Sequence, residues 1–330
     1  PLTTMAMLTV KSPVPARNSL VPSSGSTRTK ASKSVAAKLD AEIAYITGGL
    51  SWEASYNIVA PEANDVIDLV GWITMNNHSG MIFNDAKVKL MAGDVNRVVE
   101  TFGRTSNGMM PMAAAAKMAD SVVTEKSFDE FHLYTLGNPV TLRDKETKQV
   151  EFVRATGVKA ERIYVYEGEG HYRRGVRSSG KVQVFREFKN SEANKLGIAL
   201  PKGKVRFYSQ DGDRQLEFVG ENQIDHTPKN ETIRVLVGNS FDLVGERVMK
   251  SSREDGANRV ATQSFEVKVR NRKKEAVEIR VIEHANHGGE WTLTAQSQDH
   301  KKTDAQTFEF RVPLRPDEEK TVTYTIRYTW

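Results

Sequence analysis

The sequence predicts a mainly β protein: antiparallel β domains, a C-terminal immunoglobulin-like β-sandwich and little helix. Three observations predict it. Apolar residues alternate with period two through the last eighty residues, the signature of half-buried strands. Turn-forming clusters recur about every 8–14 residues, the spacing of sandwich strands. Gln210-Asp211-Gly212-Asp213 sits between two alternating runs, and Asp-Gly there is a strong hairpin signal.

The elements follow in order. Ala41 to Ile46 is a short alternating run closed by Gly48-Gly49. Trp52, Tyr56, Ile58 and Val59 mark the next. In Val66 to Met75, Val66, Asp68, Val70 and Trp72 share one face and Ile67, Leu69 and Ile73 the other. Asn76-Asn77-His78-Ser79-Gly80 is a turn cluster, and Val88, Leu90 and Ala92 alternate after it. Residues 103–124 break the pattern with Gly, Ser, four Met and the Ala113–Ala116 run, and read as a mobile Met/Ala-rich loop. Phe128 to Leu136, Ala160 to Glu167 and Lys181 to Phe188 resume strand character. Val205 to Ser209 and Leu216 to Val219 flank the Asp-Gly hairpin; Thr232 to Val237 and Phe241 to Lys250 read as two further strands. Beyond them Phe265, Val267 and Val269; Val277, Ile279 and Val281; Trp291 and Leu293; Phe308, Phe310 and Val312; and Val322 to Trp330 alternate. Trp291 and Trp330 are expected in the core.

Composition sets the organisation. The 330 residues suit two domains, and an apolar fraction of 38% can build their cores. Residues 1–39 hold Lys11, Arg17, Arg28, Lys30, Lys33 and Lys38 and no acid. Removing those six from 47 basic residues leaves 41 against 42 acidic ones, so the charge of +5 belongs to this arm. The expected division is a basic flexible arm at 1–39, a central β domain at 40–250 and the sandwich at 251–330. A balanced body argues against a nucleic-acid-binding fold, which would show a basic face. The longest apolar runs are too short to span a membrane. Met5 to Val10 is too short for a secretory leader, and the acid-free, Ser- and Thr-rich arm has the composition of an organellar import peptide. With no cysteine, thiolate zinc sites, iron–sulfur clusters and cysteine nucleophiles are excluded, and no cofactor is expected.

Several blocks carry a resemblance. They are A-E-I-A-Y-I-T-G-G-L-S-W-E-A-S-Y from Ala41, D-L-V-G-W-I-T-M-N-N-H-S-G from Asp68, F-H-L-Y-T-L-G-N-P-V-T-L from Phe131, and V-F-R-E-F-K-N-S-E-A-N-K-L-G-I-A-L-P-K-G-K-V-R-F-Y from Val184. I-D-H-T-P-K-N-E, G-N-S-F-D-L-V-G-E-R and the close from Glu309 to Trp330 follow in the same order. Over about residues 40–330 the chain resembles the family called domain of unknown function 4139, related to mucoidy-inhibitor-like proteins. The resemblance implies a β-rich exported protein of the bacterial periplasm or cell surface, and brings no catalytic residues.

Candidate chemistry is sparse. His284 and His287, between Glu283 and Glu290, are three apart with carboxylates at each end, a weak metal-binding pattern. Zincin chemistry needs H-E-x-x-H on a helix, whereas this cluster ends one strand and opens another. Asp225-His226, Asp94 with Arg97, and Ser240 invite a hydrolase reading, but Ser240 lacks the G-x-S-x-G elbow. Asp242 or Glu246 pairing with Arg97 or Arg247 is the alternative, tying turns and strand ends. Gly168-Glu169-Gly170 precedes a strand rather than the helix a dinucleotide site requires. Asp211-Gly212-Asp213 falls short of a calcium loop. Asn77-His78-Ser79 and Asn230-Glu231-Thr232 are glycosylation sequons. Tyr45, Trp52, Trp72, Tyr164 and Tyr166 form either a sugar-stacking surface or core and cross-strand pairs. The expectation is a non-catalytic module that associates with itself or a protein partner through strand edges, the arm or the Met/Ala loop. The alternatives are a metal-assisted hydrolase of cell-surface material and a carbohydrate-binding module.

Overall fold

The computed structural model describes residues 45–61, 65–93, 123–168, 177–210, 213, 215–285, 287 and 289–330, with the backbone alone at 6–9, 128 and 177–179. The protein is mainly β. Among the described residues the one helical element is a 3-10 turn, Glu192–Asn194, and no helix is long and apolar enough to cross a membrane.

The chain divides into two compact units. The first takes the described residues of Pro1–Ala54 and Trp72–Phe152, the second Ser55–Gly71 and Val153–Trp330. Strands β1 (Ala6–Thr9), β2 (Leu50–Pro61), β3 (Val66–Asn77), β4 (Phe83–Ala92), β5 (Val123–Phe128), β6 (Phe131–Leu136), β7 (Val140–Leu142) and β8 (Glu146–Lys159) come first in sequence. In unit one, β1-β4-β6-β5 form a sheet in that order, with β7 also on β4. Its core is the alternate side chains the pattern marks: Trp52, Ile73, Met75, Val88, Leu90 and Tyr134 are all buried. Tyr134 meets Phe152 edge-on at 6.1 Å between ring centroids, the arrangement favoured by the ring quadrupole.

Unit two adds β9 (Glu161–Glu167), β10 (Arg177–Lys189), β11 (Gly203–Gln210), β12 (Leu216–Ile224), β13 (Thr232–Asp255), β14 (Val260–Asn271), β15 (Val277–His284), β16 (Glu290–Gln296), β17 (Lys301–Lys302), β18 (Thr307–Leu314) and β19 (Glu319–Thr329). β12-β11-β2-β3-β8 form a five-stranded sheet. The nine-stranded sheet runs β16-β19-β14-β13-β10-β9-β15-β18-β17. Its pairs are antiparallel apart from β9 with β15. The sheet folds back on itself. Phe308 and Phe310 of β18 approach Tyr324 of β19 at 5.5 and 5.7 Å, although the strands stand on opposite arms of the sheet order. Val267, Val269, Ile279, Val281, Val312 and Ile326 fill the space between. This is the sandwich-like core that the C-terminal alternation predicts.

The domain boundary needs correction. A cut at 250/251 falls inside β13, a single 24-residue strand that pairs with β10 and with β14. The strands of 251–330 form two arms, β16-β19-β14 and β15-β18-β17, joined only through β13, β10 and β9. The two strands expected at 232–237 and 241–250 are this one strand, interrupted by a bulge. Trp291 packs partly buried against the core as expected, but Trp330 is exposed. Tyr45 and Ile46 precede β2 as exposed coil rather than strand. Residues 103–122 of the Met/Ala-rich loop, and residues 10–39 of the arm, lie outside the described residues.

Candidate functional site

The histidine cluster comes apart in space. His284, last in β15, places Nε2 2.5 Å from Glu167 Oε1 and Nδ1 3.1 Å from Thr307 Oγ1. His287 instead packs its ring on Tyr328 and Trp330, at 5.1 and 5.0 Å. Among the described residues no group of three or more His, Asp or Glu could hold a metal ion. The remaining polar candidates fasten turns. His226 Nδ1 accepts from the backbone N–H of Lys202 at 3.1 Å, and Asp225 pairs with Lys202 at 3.3 Å. Asn77 is fully buried: its Nδ2 donates to the carbonyls of Met81 and Arg143 at 2.8 and 3.0 Å. Asn230 lies exposed in a turn. Asp94, Arg97, Glu169, Gly170, Asp211 and Gly212 lie outside the described residues. Of the five aromatics weighed as a sugar surface, Trp52, Tyr164 and Tyr166 are buried, Trp72 is half-buried and only Tyr45 is exposed.

Arg247 corrects the expected pairing. Glu246 engages Arg270 at 2.5 Å, while Arg247, on the opposite face of β13, enters the core. Its Nε lies 2.9 and 3.1 Å from the Glu283 carboxylate, and its guanidinium stacks 4.0 Å above the Phe265 ring. Tyr324 donates its hydroxyl to Glu283 at 2.6 Å. Gly245 is required beside them, because a Cβ there would run into the buried Tyr166 ring. Burial raises the Glu283 carboxyl against the opposing pull of Arg247. Burial acts to lower Arg247, yet Glu283 and Tyr324 outweigh it and hold the guanidinium above its ordinary value. All three side chains are closed off from solvent, so the cluster reaches no substrate; it locks two arms of the sheet.

Two buried tyrosines, Tyr324 in the second unit's core and Tyr134 in the first's, give the fold a pH signature. Burial, then Glu283, pushes Tyr324 up, and burial, then Glu125, pushes up Tyr134. A raised folded value contributes stability that is complete below the unfolded tyrosine pKa of about 10 and is lost as pH climbs beyond it. Spectrophotometric titration is expected to show these two phenols ionising only together with loss of near-ultraviolet circular dichroism. Ionisation of all nine tyrosines in the intact fold would contradict this.

The surface is where apolar groups stand unexplained. By parity Phe241 belongs with Leu243, Gly245, Arg247 and Met249, all of which point inward. It is nevertheless 97% exposed. The registers give the reason. Lys181 faces Val244 and Gln183 faces Asn239, so Val182 alone spans residues 240–243 of β13. Pairing with β14 begins only at Leu243. Ser240-Phe241-Asp242 is therefore extruded as a wide bulge, fastened by the Arg272 N–H donating to the Asp242 carbonyl at 2.8 Å. β12 supplies the second part. Phe207 pairs with Gly220 and Tyr208 with Phe218, which leaves Val219 as a bulge, and Leu216, Phe218 and Val219 are all exposed. β13 crosses β12 in antiparallel order: Asn222 donates to the Leu236 carbonyl at 3.4 Å, Gly220 abuts Val237, and Val219 lies by Gly238. That order carries Leu216 and Phe241 toward the same end of the crossing.

A protein-family model described as Domain of unknown function (DUF4139) matches residues 41–330. The chain belongs to this family. The DUF4139 match thus takes in all of the second unit, the first unit from residue 41 onward, and the Phe241 bulge. No curated protein matches the chain.

Three edge strands of the DUF4139 sheets are blunted. β17 is two exposed lysines, β16 carries a register shift between Leu293 and Ala295, and β12 has the Val219 bulge. Lysines and bulges discourage backbone pairing between molecules.

Proposed function

We propose that the protein is an exported, non-catalytic interaction module that associates with itself or a surface partner through the apolar group Leu216, Phe218, Val219 and Phe241. The observation that carries this reading is Phe241, a large aromatic held almost wholly in solvent on a fastened bulge. Scattered exposed apolar residues are ordinary; several converging on one place mark contact surfaces, and aromatic anchors carry most of the energy where proteins meet. Export rests on the resemblance in sequence, and fractionation of source cells that finds the protein only in the cytosol would remove it.

A photoreactive phenylalanine in place of Phe241 tests the surface directly. Irradiated in purified protein and in source extract, position 241 is expected to form discrete adducts that the same probe at exposed Lys301 does not. No adduct specific to position 241 in either preparation would defeat the reading.

A further inference from the structure

A groove of about 800 Å³ opens on the second unit where the end of β8, the start of β9, the end of β10 and the 3-10 turn meet. That is the size of a small-molecule site. Val66, Ala160, Phe188 and Ala193 give it apolar walls. Its charges are unevenly committed. Asp65, Glu161 and Glu187 line it, and each faces an arginine: Arg186 at 3.1 Å, Arg280 at 3.3 Å and Arg234 at 2.6 Å. Lys159 and Lys189 line it too, and neither has an ion-pair partner among the described residues. Two lysines and three arginines thus stand against three carboxylates, a surplus of two positive charges. Asn194 holds the two lysines as neighbours. Its Oδ1 accepts from the Lys159 N–H at 2.9 Å, and its Nδ2 donates to the carbonyls of Lys159 and Lys189, both at 3.0 Å. Ser191, also on the wall, is only 9% exposed, and its Oγ bonds to none of the described residues. A buried hydroxyl left unbonded costs free energy, so whatever fills the groove is what satisfies this one.

We propose that this groove binds a phosphorylated small molecule with an apolar body. Lys159, Lys189 and the Ser191 hydroxyl hold the phosphoryl group, and the body lies on Val66, Ala160 and Phe188. The donor set selects phosphate over carboxylate. A carboxylate is matched by the planar fork of arginine, and the arginines beside this groove are already spent on its own acids. Lysines act as point charges with rotatable donors, which suits the several oxygens of a phosphoryl group. Asn194 is a positioning residue: it touches no ligand and fixes the backbone that carries both cations. The groove shares no residue with the Phe241 surface, so the two readings stand or fall separately.

Calorimetric titration of the full chain tests this with phenyl phosphate as the probe, compared with inorganic phosphate and benzoate. Phenyl phosphate is expected to bind saturably. Inorganic phosphate lacks the apolar body and benzoate lacks the phosphoryl group, so each should bind about tenfold more weakly. Lys159→Gln with Lys189→Gln should weaken phenyl phosphate about tenfold or more. Lys301→Gln with Lys302→Gln, an exposed pair on β17, should leave it unchanged. Ser191→Ala should weaken it about threefold and leave the melting temperature of the unliganded chain where it was, because Oγ holds no other described residue in the fold. No saturable binding of phenyl phosphate at millimolar concentration, or binding that survives the Lys159 and Lys189 changes, would overturn the proposal. Benzoate bound as tightly as phenyl phosphate would remove the phosphoryl group from it, and inorganic phosphate bound as tightly would remove the apolar body; either result overturns the ligand class named here.

Discussion

Glu283→Gln is expected to cost about 3–5 kcal/mol of folding stability, the penalty of leaving a buried charge without its partner. Arg247 and Glu283 are both almost fully buried, and the acceptors on Glu283 hold both the guanidinium and the Tyr324 hydroxyl. The variant keeps Arg247 charged over the Phe265 ring and replaces the anion it faces with a neutral amide. The triple change Arg247→Leu, Glu283→Leu and Tyr324→Phe removes these three polar side chains together. It should recover most of the loss, because well-packed apolar replacements of buried ion pairs are often neutral or stabilising. Denaturant titration checks both, with the midpoint moving and the slope preserved. A loss below about 1 kcal/mol in Glu283→Gln would mean that water reaches the cluster and that it is no core lock.

This pair also marks where the sequence stops being informative. Period-two alternation identifies a strand because it needs only neighbours along the chain, so most of the strands and the Asp-Gly hairpin between β11 and β12 are legible. Which carboxylate Arg247 meets is a long-range fact. Glu283 is 36 positions away, on β15, which is not next to β13 in the sheet and reaches it only across the folded core. Reading locally favours Asp242 or Glu246, and both face elsewhere. Phe241 is harder still. Its parity assigns it inward, and the bulge that releases it depends on the register with β10, which no local pattern encodes. The two histidines mislead for the same reason: three residues apart in sequence, they serve Glu167 on β9 in one case and a pair of C-terminal rings in the other.

The isolated fragment 251–330 is expected to be unfolded, despite carrying the most regular strand pattern in the chain. Its six strands include β14, β19 and β16 on one arm and β15, β18 and β17 on the other, and no pairing in the sheet order joins the two arms directly. In the intact chain β14 pairs with β13 along Leu243–Asp255, and β15 pairs with β9 through Ile279–Ile282. The fragment loses the seven residue pairs from Leu243 to Met249, keeping only the five from Ser251 to Asp255, and loses the whole of the second pairing. It also loses the buried Tyr164, Tyr166, Val182 and Leu243 from the shared core, and Glu283 loses Arg247. An exposed pair of β edges, a buried unpaired carboxylate and missing core side chains together exceed what a chain of this length can offset, since small domains are marginal even when complete. Far-ultraviolet circular dichroism and amide dispersion in a proton–nitrogen spectrum decide it. A dispersed, cooperatively melting fragment would show that the two arms close on each other without β13, β10 and β9. The nine-stranded sheet would then be two domains joined edge to edge rather than one folded-back layer.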